Sequence, residues 1–225
     1  MGYAPMQVRV HDLDHVYAGR GERRSGVSVR SLSVESQSNL CLVGTSGAGK
    51  TTLLNILAGV LVPTSGRVYL GETDLFALSE ASRDRLRARS IGCVFQTFNL
   101  LQGLSALENL TLAQRFAGIP AAKAQHRALE LLELLNLLDR ANARPAELSV
   151  GEQQRIAIAR AVSKAPSLVL ADEPTASLDD ESARAAIDLL LEACTSSTLI
   201  VVTHDARLMA RFSSVGSLTQ LAGPA

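Results

Sequence analysis

Apolar residues fall along this chain in two alternating styles. Four short, largely apolar runs stand out: Leu40–Val43, Ile91–Phe95, Leu168–Ala171 and Thr198–Val202. Runs of this length with almost no polar alternation suit strands buried on both faces of a parallel sheet. Between them the spacing turns helical. Leu53, Leu54, Ile56, Leu57 and Ala58 follow the first run, and similar patterns predict helices near 79–89, 105–117, 121–138, 148–164, 180–193 and 205–211. Alternation of buried strand and amphipathic helix predicts an α/β fold with a parallel sheet.

Two regions break that rhythm. The front of the chain predicts small strands at 6–17 and 27–34, separated by a polar, glycine-rich loop at 18–26, with a slip in alternation near Arg30-Ser31. A turn at 63–66 leads into another strand at 67–70. These elements predict an N-terminal antiparallel β subdomain beside the core. From 97 to 147 the long apolar strands stop, helical periodicity takes over, Pro120 separates two helices and Pro145 ends the segment. That stretch predicts a helical subdomain inserted into one domain, with the core at about 1–96 and 148–225. A final strand is expected near 215–220.

Composition narrows the picture. Of 225 residues, 47% are hydrophobic and 4% aromatic, with no Trp, so a large core built from Leu, Ala, Val and Ile is expected. Lys+Arg and Asp+Glu balance at 22 each, which gives no electrostatic case for a nucleic-acid partner. The arginines at 83, 85, 87 and 89 lack interleaved aromatics and read as a solvated helix face. Cys41, Cys93 and Cys194 are far apart in apolar surroundings and read as small buried hydrophobes, suited to a reducing compartment. No signal peptide is evident, and no apolar run approaches the roughly 20 residues that span a bilayer.

The chemistry centres on Gly44-Thr45-Ser46-Gly47-Ala48-Gly49-Lys50-Thr51, a G-x-x-x-x-G-K-T phosphate loop set between a strand and a helix. Its backbone N–H groups and the helix N-terminus suit phosphate oxygens. Lys50 is placed to reach the β- and γ-phosphates, and Thr51 offers a hydroxyl to Mg²⁺. In an α/β sheet ligands gather at the carboxyl ends of strands. Three apolar runs end there in polar residues: Gln96, Asp172-Glu173 and Thr203-His204. Asp172 is a candidate Mg²⁺ ligand and Glu173 a candidate general base. Gln96 suits the metal or the attacking water, and His204 the γ-phosphate. Singly, a strand-end acid pair or histidine decides little; His11, His15 and His126 read as bystanders. Ser149 and Glu152 fit a capping box at the start of the 150–164 helix.

Taken together and in order, these motifs resemble the ATP-binding cassette (ABC) ATPase family over roughly residues 7–220. The phosphate loop, Gln96, Leu148-Ser149-Val150-Gly151-Glu152-Gln153-Gln154-Arg155, Asp172-Glu173-Pro174-Thr175, Ser177-Leu178-Asp179 and Thr203-His204 carry the resemblance. It implies a P-loop NTPase core that binds ATP and Mg²⁺ and hydrolyses ATP. It also implies a head-to-tail homodimer, or a pair with a similar ATPase, each ATP held between one copy's residues 44–52, including Thr52, and the other copy's Ser149, Gly151 and Glu152. Asp179 is then expected at the interface, Tyr17 stacked on adenine, Glu173, His204 and Gln96 at the reaction centre, and Thr51, Gln96 and Asp172 at the metal.

Two departures from the family signature concern Val150 and Glu152, where Leu-Ser-Gly-Gly-Gln is usual. Val150 is expected to make the backbone less permissive. The run Ile91–Leu101 with Glu108-Asn109 is similar to the branch of lipoprotein-releasing, macrolide-exporting and cell-division ATPases, with Cys93 where that branch more often has an aromatic. The branch implies separate transmembrane permease subunits and a peripheral place on the cytoplasmic face of the inner membrane. Phe98, Leu100, Leu101 and Leu104 are candidates either for a groove receiving a partner helix or for subdomain core. A cell-division regulator that transports nothing is the main alternative; a soluble ABC ATPase acting on DNA or ribosomes is disfavoured by the neutral charge.

Overall fold

The computed structural model describes residues 4–18, 23–45 and 47–221. Strands β3 (Asn39–Val43), β6 (Ile91–Val94), β7 (Leu168–Asp172), β8 (Thr198–Val202) and β9 (Val215–Ser217) form a parallel sheet in the order β6-β7-β8-β3-β9. A second, antiparallel sheet has the order β2-β1-β4-β5, from β1 (Val8–Ala18), β2 (Arg23–Val34), β4 (Ser65–Leu70) and β5 (Thr73–Asp74).

The apolar runs explain the layering. Successive strand residues point to opposite faces. Leu40, Leu42, Leu168, Leu170, Ile200 and Val202 turn toward helix α1 (Lys50–Leu57) and the antiparallel sheet, in one buried cluster. Cys41, Val169, Ala171, Leu199 and Val201 turn the other way, onto α5 (Val150–Val162), α6 (Asp180–Ala193) and α7 (Ala206–Met209). Complete burial of each Leu, Ile or Val removes about 1.5–3 kcal/mol of side chain from water, so neither face tolerates a polar residue cheaply. Along the chain α2 (Glu80–Ser90) lies between β5 and β6, and α3 (Ala106–Phe116) and α4 (Ala121–Leu134) lie between β6 and α5. Leu100, Leu110, Leu132 and Leu148 form a third cluster that also takes Ile156 and Ala157 of α5, so α5 is shared between helical segment and core.

Several boundaries differ from the sequence reading. The polar stretch expected as a loop at 18–26 already pairs as strand at Ala18 and Arg23, because main-chain pairing across a hairpin does not need apolar side chains. Its tip, residues 19–22, lies outside the described residues. The alternation slip at Arg30-Ser31 is present, and β1 slips with it: Val10 and Leu13 are buried opposite Leu32 and Val29, with Asp12 at φ 46°. The helix expected to run to 138 ends at Leu134; Asn136 at φ 55° closes it. The strand expected at 215–220 stops at Ser217 and gives way to a short helix, α8 (Leu218–Leu221). No described helix is long and apolar enough to cross a membrane.

Candidate active site

Four neighbouring strands, β6, β7, β8 and β3, deliver the chemistry at their carboxyl ends. After β3 the chain forms the phosphate loop, with Gly47 at φ 81° and Gly49 at φ 86°. Gly49 caps α1 and touches the antiparallel sheet so closely that a Cβ there would lie 2.0 Å from the Gly26 carbonyl oxygen. Only glycine satisfies both the positive φ and that contact. Lys50 folds back so that Nζ donates to the carbonyls of Gly44 (2.6 Å) and Thr45 (3.2 Å), and it stands 3.9 Å from Glu173 Oε1.

Thr51 Oγ1 donates to Asp172 Oδ2 at 2.6 Å. Burial holds the Asp172 carboxyl above its ordinary pKa, against the Thr51 hydrogen bond that lowers it. Glu173 is buried and adopts φ 43°, a left-handed conformation that a glutamate holds only when its surroundings fix it. Its Oε2 accepts from Thr203 Oγ1 (3.0 Å) and the His204 N–H (3.1 Å), and its Oε1 faces His204 Nδ1 at 2.7 Å. Tyr17, half-exposed, meets Thr52 Oγ1 through its hydroxyl at 3.1 Å and the His15 ring edge-on at 4.7 Å.

A cleft of about 550 Å³ unites these groups: Tyr17, the described residues of the phosphate loop with Thr52, and Gln96, Asp172, Glu173 and His204 all line it. Ser46 lies outside the described residues. The cleft does not contain Ser149, Gly151, Glu152 or Asp179. Those four sit at the N-termini of α5 and α6. Ser149 and Glu152 form the expected capping box, with Ser149 N donating to Glu152 Oε2 at 2.7 Å and Glu152 N to Ser149 Oγ at 3.3 Å. That backbone hydrogen bond, chiefly, holds the Glu152 carboxyl below its ordinary pKa. Asp179 caps α6 by accepting from the N–H groups of Glu181 and Ser182.

Val150 is the first residue of α5 and its side chain is 46% exposed, so the narrower backbone range expected of a valine is met without strain there. Gly151 is the tight position: a Cβ would lie 2.9 Å from Ser182 Oγ.

A larger cavity of about 740 Å³ opens beside the cleft, sharing Thr51 and Asp172. Phe95, Asn99, Phe116 and Arg85, Arg87 and Arg89 of α2 line it, not the residues expected from the sequence. Leu100 instead is buried in the helical cluster with Phe98 against it, and Leu101 is exposed. Arg160, which sequence reasoning did not single out, explains this: its guanidinium donates to the carbonyls of Phe98 (2.7 Å) and Asn99, pinning both in left-handed conformations and turning Leu100 inward. Cys93 is likewise only partly buried and lines this cavity, whereas Cys41 and Cys194 are buried, their thiols pushed up by burial to about 11 and about 12.

The ABC transporter family model matches residues 27–176, which include the phosphate loop, Gln96, the Ser149 cap and the Asp172-Glu173 strand end. The chain belongs to the ABC transporter family. It is an ATP-binding cassette that hydrolyses ATP. It is 41% identical over 215 residues to the lipoprotein-releasing system ATP-binding protein LolD of Xanthomonas euvesicatoria, covering 95% of this chain and 88% of that one. LolD of Pseudomonas fluorescens is 42% identical, with 91% of each chain covered. Among solved structures, one chain of a dimeric structure of MJ0796, a bacterial ABC transporter cassette, matches with TM-score 0.86 and 33% identity over 93% of both chains. A dimeric post-hydrolysis structure of the same cassette bound to ADP and phosphate gives TM-score 0.83 and 34% identity over 89% of both. The ABC fold and the nucleotide-binding function read from the motifs are therefore established.

Proposed function

We propose that this cassette drives a membrane complex of the lipoprotein-releasing type, working as two copies that close on two ATP molecules. The likeness to LolD supports the type of complex, and the dimeric MJ0796 structures support the pairing. The observation that carries the two-copy reading is the split of the motif residues. One set lines the cleft, while Ser149, Val150 and Asp179 lie exposed at two helix N-termini outside it. The N-terminus of α5 is an anion site in its own right. It becomes useful when it grips a γ-phosphate held in the other copy's cleft.

Within one cleft this reading gives each residue a role that the geometry supports. The phosphate loop and Lys50 bind the β- and γ-phosphates. Tyr17 stacks on the base. Glu173 takes the proton of the attacking water, and Thr203 and His204 hold its carboxylate in place. The donor set suits Mg²⁺: a hydroxyl and a carboxylate in contact, an amide on the same wall, and no cluster of three His, Cys, Asp or Glu among the described residues. Mg²⁺ takes oxygen donors and few protein ligands. Thr51, Asp172 and Gln96 would hold it, and it would neutralise charge on the transferred phosphoryl group.

Separate membrane-spanning subunits complete the machine, with this chain peripheral on their cytoplasmic side. The 740 Å³ groove is the place for a partner's cytoplasmic helix. Its apolar lining at Phe95 and the exposed Phe116 suits a helix face, and Arg85, Arg87 and Arg89 beside them suit acidic side chains. Gln96 stands between groove and cleft, and the segment 97–147 moves with the partner. The replacement Glu173→Gln tests the reading: it keeps ATP binding, lowers turnover by about 100-fold or more, and accumulates a dimer with ATP. Undiminished turnover removes Glu173 as the base.

A further inference from the structure

Gln154 lies in the second turn of α5 and is 1% exposed. Its Nε2 donates to the carbonyl oxygen of Pro174 at 2.6 Å. Its Oε1, also buried, has no partner among the described residues. The opposite amide orientation would set two oxygens against each other, so the donor assignment is fixed by its neighbour. Pro174 has no N–H, which leaves this carbonyl as the backbone handle on the residue that follows Glu173.

The surrounding segment is held from three sides. Glu173 N donates to Val202 O at 2.9 Å, and its carboxylate is tied to Thr203 and His204. Thr175 Oγ1 donates to Asp205 Oδ2 at 2.6 Å. The third hold is Gln154, and it alone comes from α5. One turn earlier on the same helix, Gly151 lies so near Ser182 that a Cβ would be 2.9 Å from its Oγ, which donates to Asp179 Oδ2 at 2.8 Å. Helix α5 thus touches the 173–182 segment at both ends.

We propose that Gln154 is a positioning residue that couples the attitude of α5 to the catalytic carboxylate of its own chain. The helix N-terminus grips the second copy's nucleotide, and the Gln154–Pro174 bond carries that engagement into the φ of Glu173. The proposal rests on the two-copy reading above. It gives each chain a direct mechanical link between the site it helps complete and the site where it supplies the base.

The test uses the full chain with Gln154→Met and Gln154→Glu, each also combined with Glu173→Gln. Methionine keeps the volume and loses the donor. The Gln154→Met chain should bind a fluorescent ATP analogue within about twofold of the parent and lose about tenfold or more in kcat. Combined with Glu173→Gln it should still dimerise with ATP. Glutamate regains a donor only when protonated, and burial raises its pKa. The activity of Gln154→Glu relative to the parent should therefore rise as pH is lowered from about 8 to about 6. A buried carboxylate also disturbs packing until it is protonated, so thermal melts of Gln154→Glu across the same pH range are read beside the ratio. A packing role moves the ratio only together with the melting temperature, whereas the donor role moves it while the fold stays intact. This comparison decides the matter if Gln154→Met does not fold. Parental kcat in Gln154→Met, loss of dimerisation in its double variant, or a pH-independent ratio overturns the proposal. Failure of Glu173→Gln alone to dimerise would instead sink the two-copy reading, leaving the kcat comparison to report on Glu173 positioning.

Discussion

His204 Nδ1 and Glu173 Oε1 are 2.7 Å apart, and the same histidine's N–H holds the glutamate's other oxygen. One residue thus fixes both oxygens of the carboxylate, with its ring 72% exposed toward the cleft side and the carboxylate 8% exposed. This joins the strand ends of β7 and β8 into one hydrogen-bonded unit. His204→Ala should leave ATP affinity within about twofold and lower kcat by about tenfold or more, since it removes the orientation of the proposed base without removing Glu173 itself. Steady-state kinetics with a separate binding titration check this. A rise in KM at constant kcat would assign His204 to ground-state binding.

Asp205 anchors the segment after Glu173. Its carboxylate is held well below the ordinary value of 3.8, first by the Arg207 guanidinium, then by the Thr175 hydroxyl and the Arg207 N–H, with burial opposing. Its folded pKa lies below its unfolded one. The stabilisation is therefore complete above about pH 5 and is lost as pH falls through the carboxylate range. Asp205→Asn should cost about 2 kcal/mol at neutral pH and flatten the fall in stability between about pH 5 and about pH 3. Urea midpoints across that range measure it. An unchanged acid limb would show that other carboxylates dominate.

Much of this site was readable before the fold. Leu168–Ala171 followed by Asp172-Glu173 states both a buried strand and what waits at its end, and the same logic places Gln96 and His204. The Ser149–Glu152 cap is local, so spacing alone reveals it. What stayed hidden depends on partners far along the chain. Leu100 and Leu101 are equally apolar, and only Arg160, some 60 residues later, decides which turns inward. Gln154 looks like any polar helix residue until Pro174 lies against it. The strand-like pattern at 215–220 fails because β9 is an edge strand joined to the sheet along one side only, so pairing fixes it for just three residues.

Val150 carries no conformational burden. Its backbone is helical and its side chain is largely in solvent. Val150→Gly should change turnover by less than about twofold and cost about 0.5–1 kcal/mol through the added freedom of glycine in a helix. ATPase rates and thermal melts read the two effects separately. A large loss of turnover at unchanged stability would give the valine a role in contacting the second copy.

We propose that one chain holds half of each working site. Lys50, Thr51, Asp172 and Glu173 line the cleft; Ser149 and Gly151 do not. The direct measurement is turnover per chain as a function of chain concentration, with saturating ATP and Mg²⁺ and no membrane partner, alongside sedimentation to follow assembly. Turnover per chain should rise with concentration and level off as dimer forms, and Ser149→Ala should lower the plateau while leaving ATP binding by the monomer intact. Turnover per chain that stays constant down to concentrations where only monomer sediments would contradict the account.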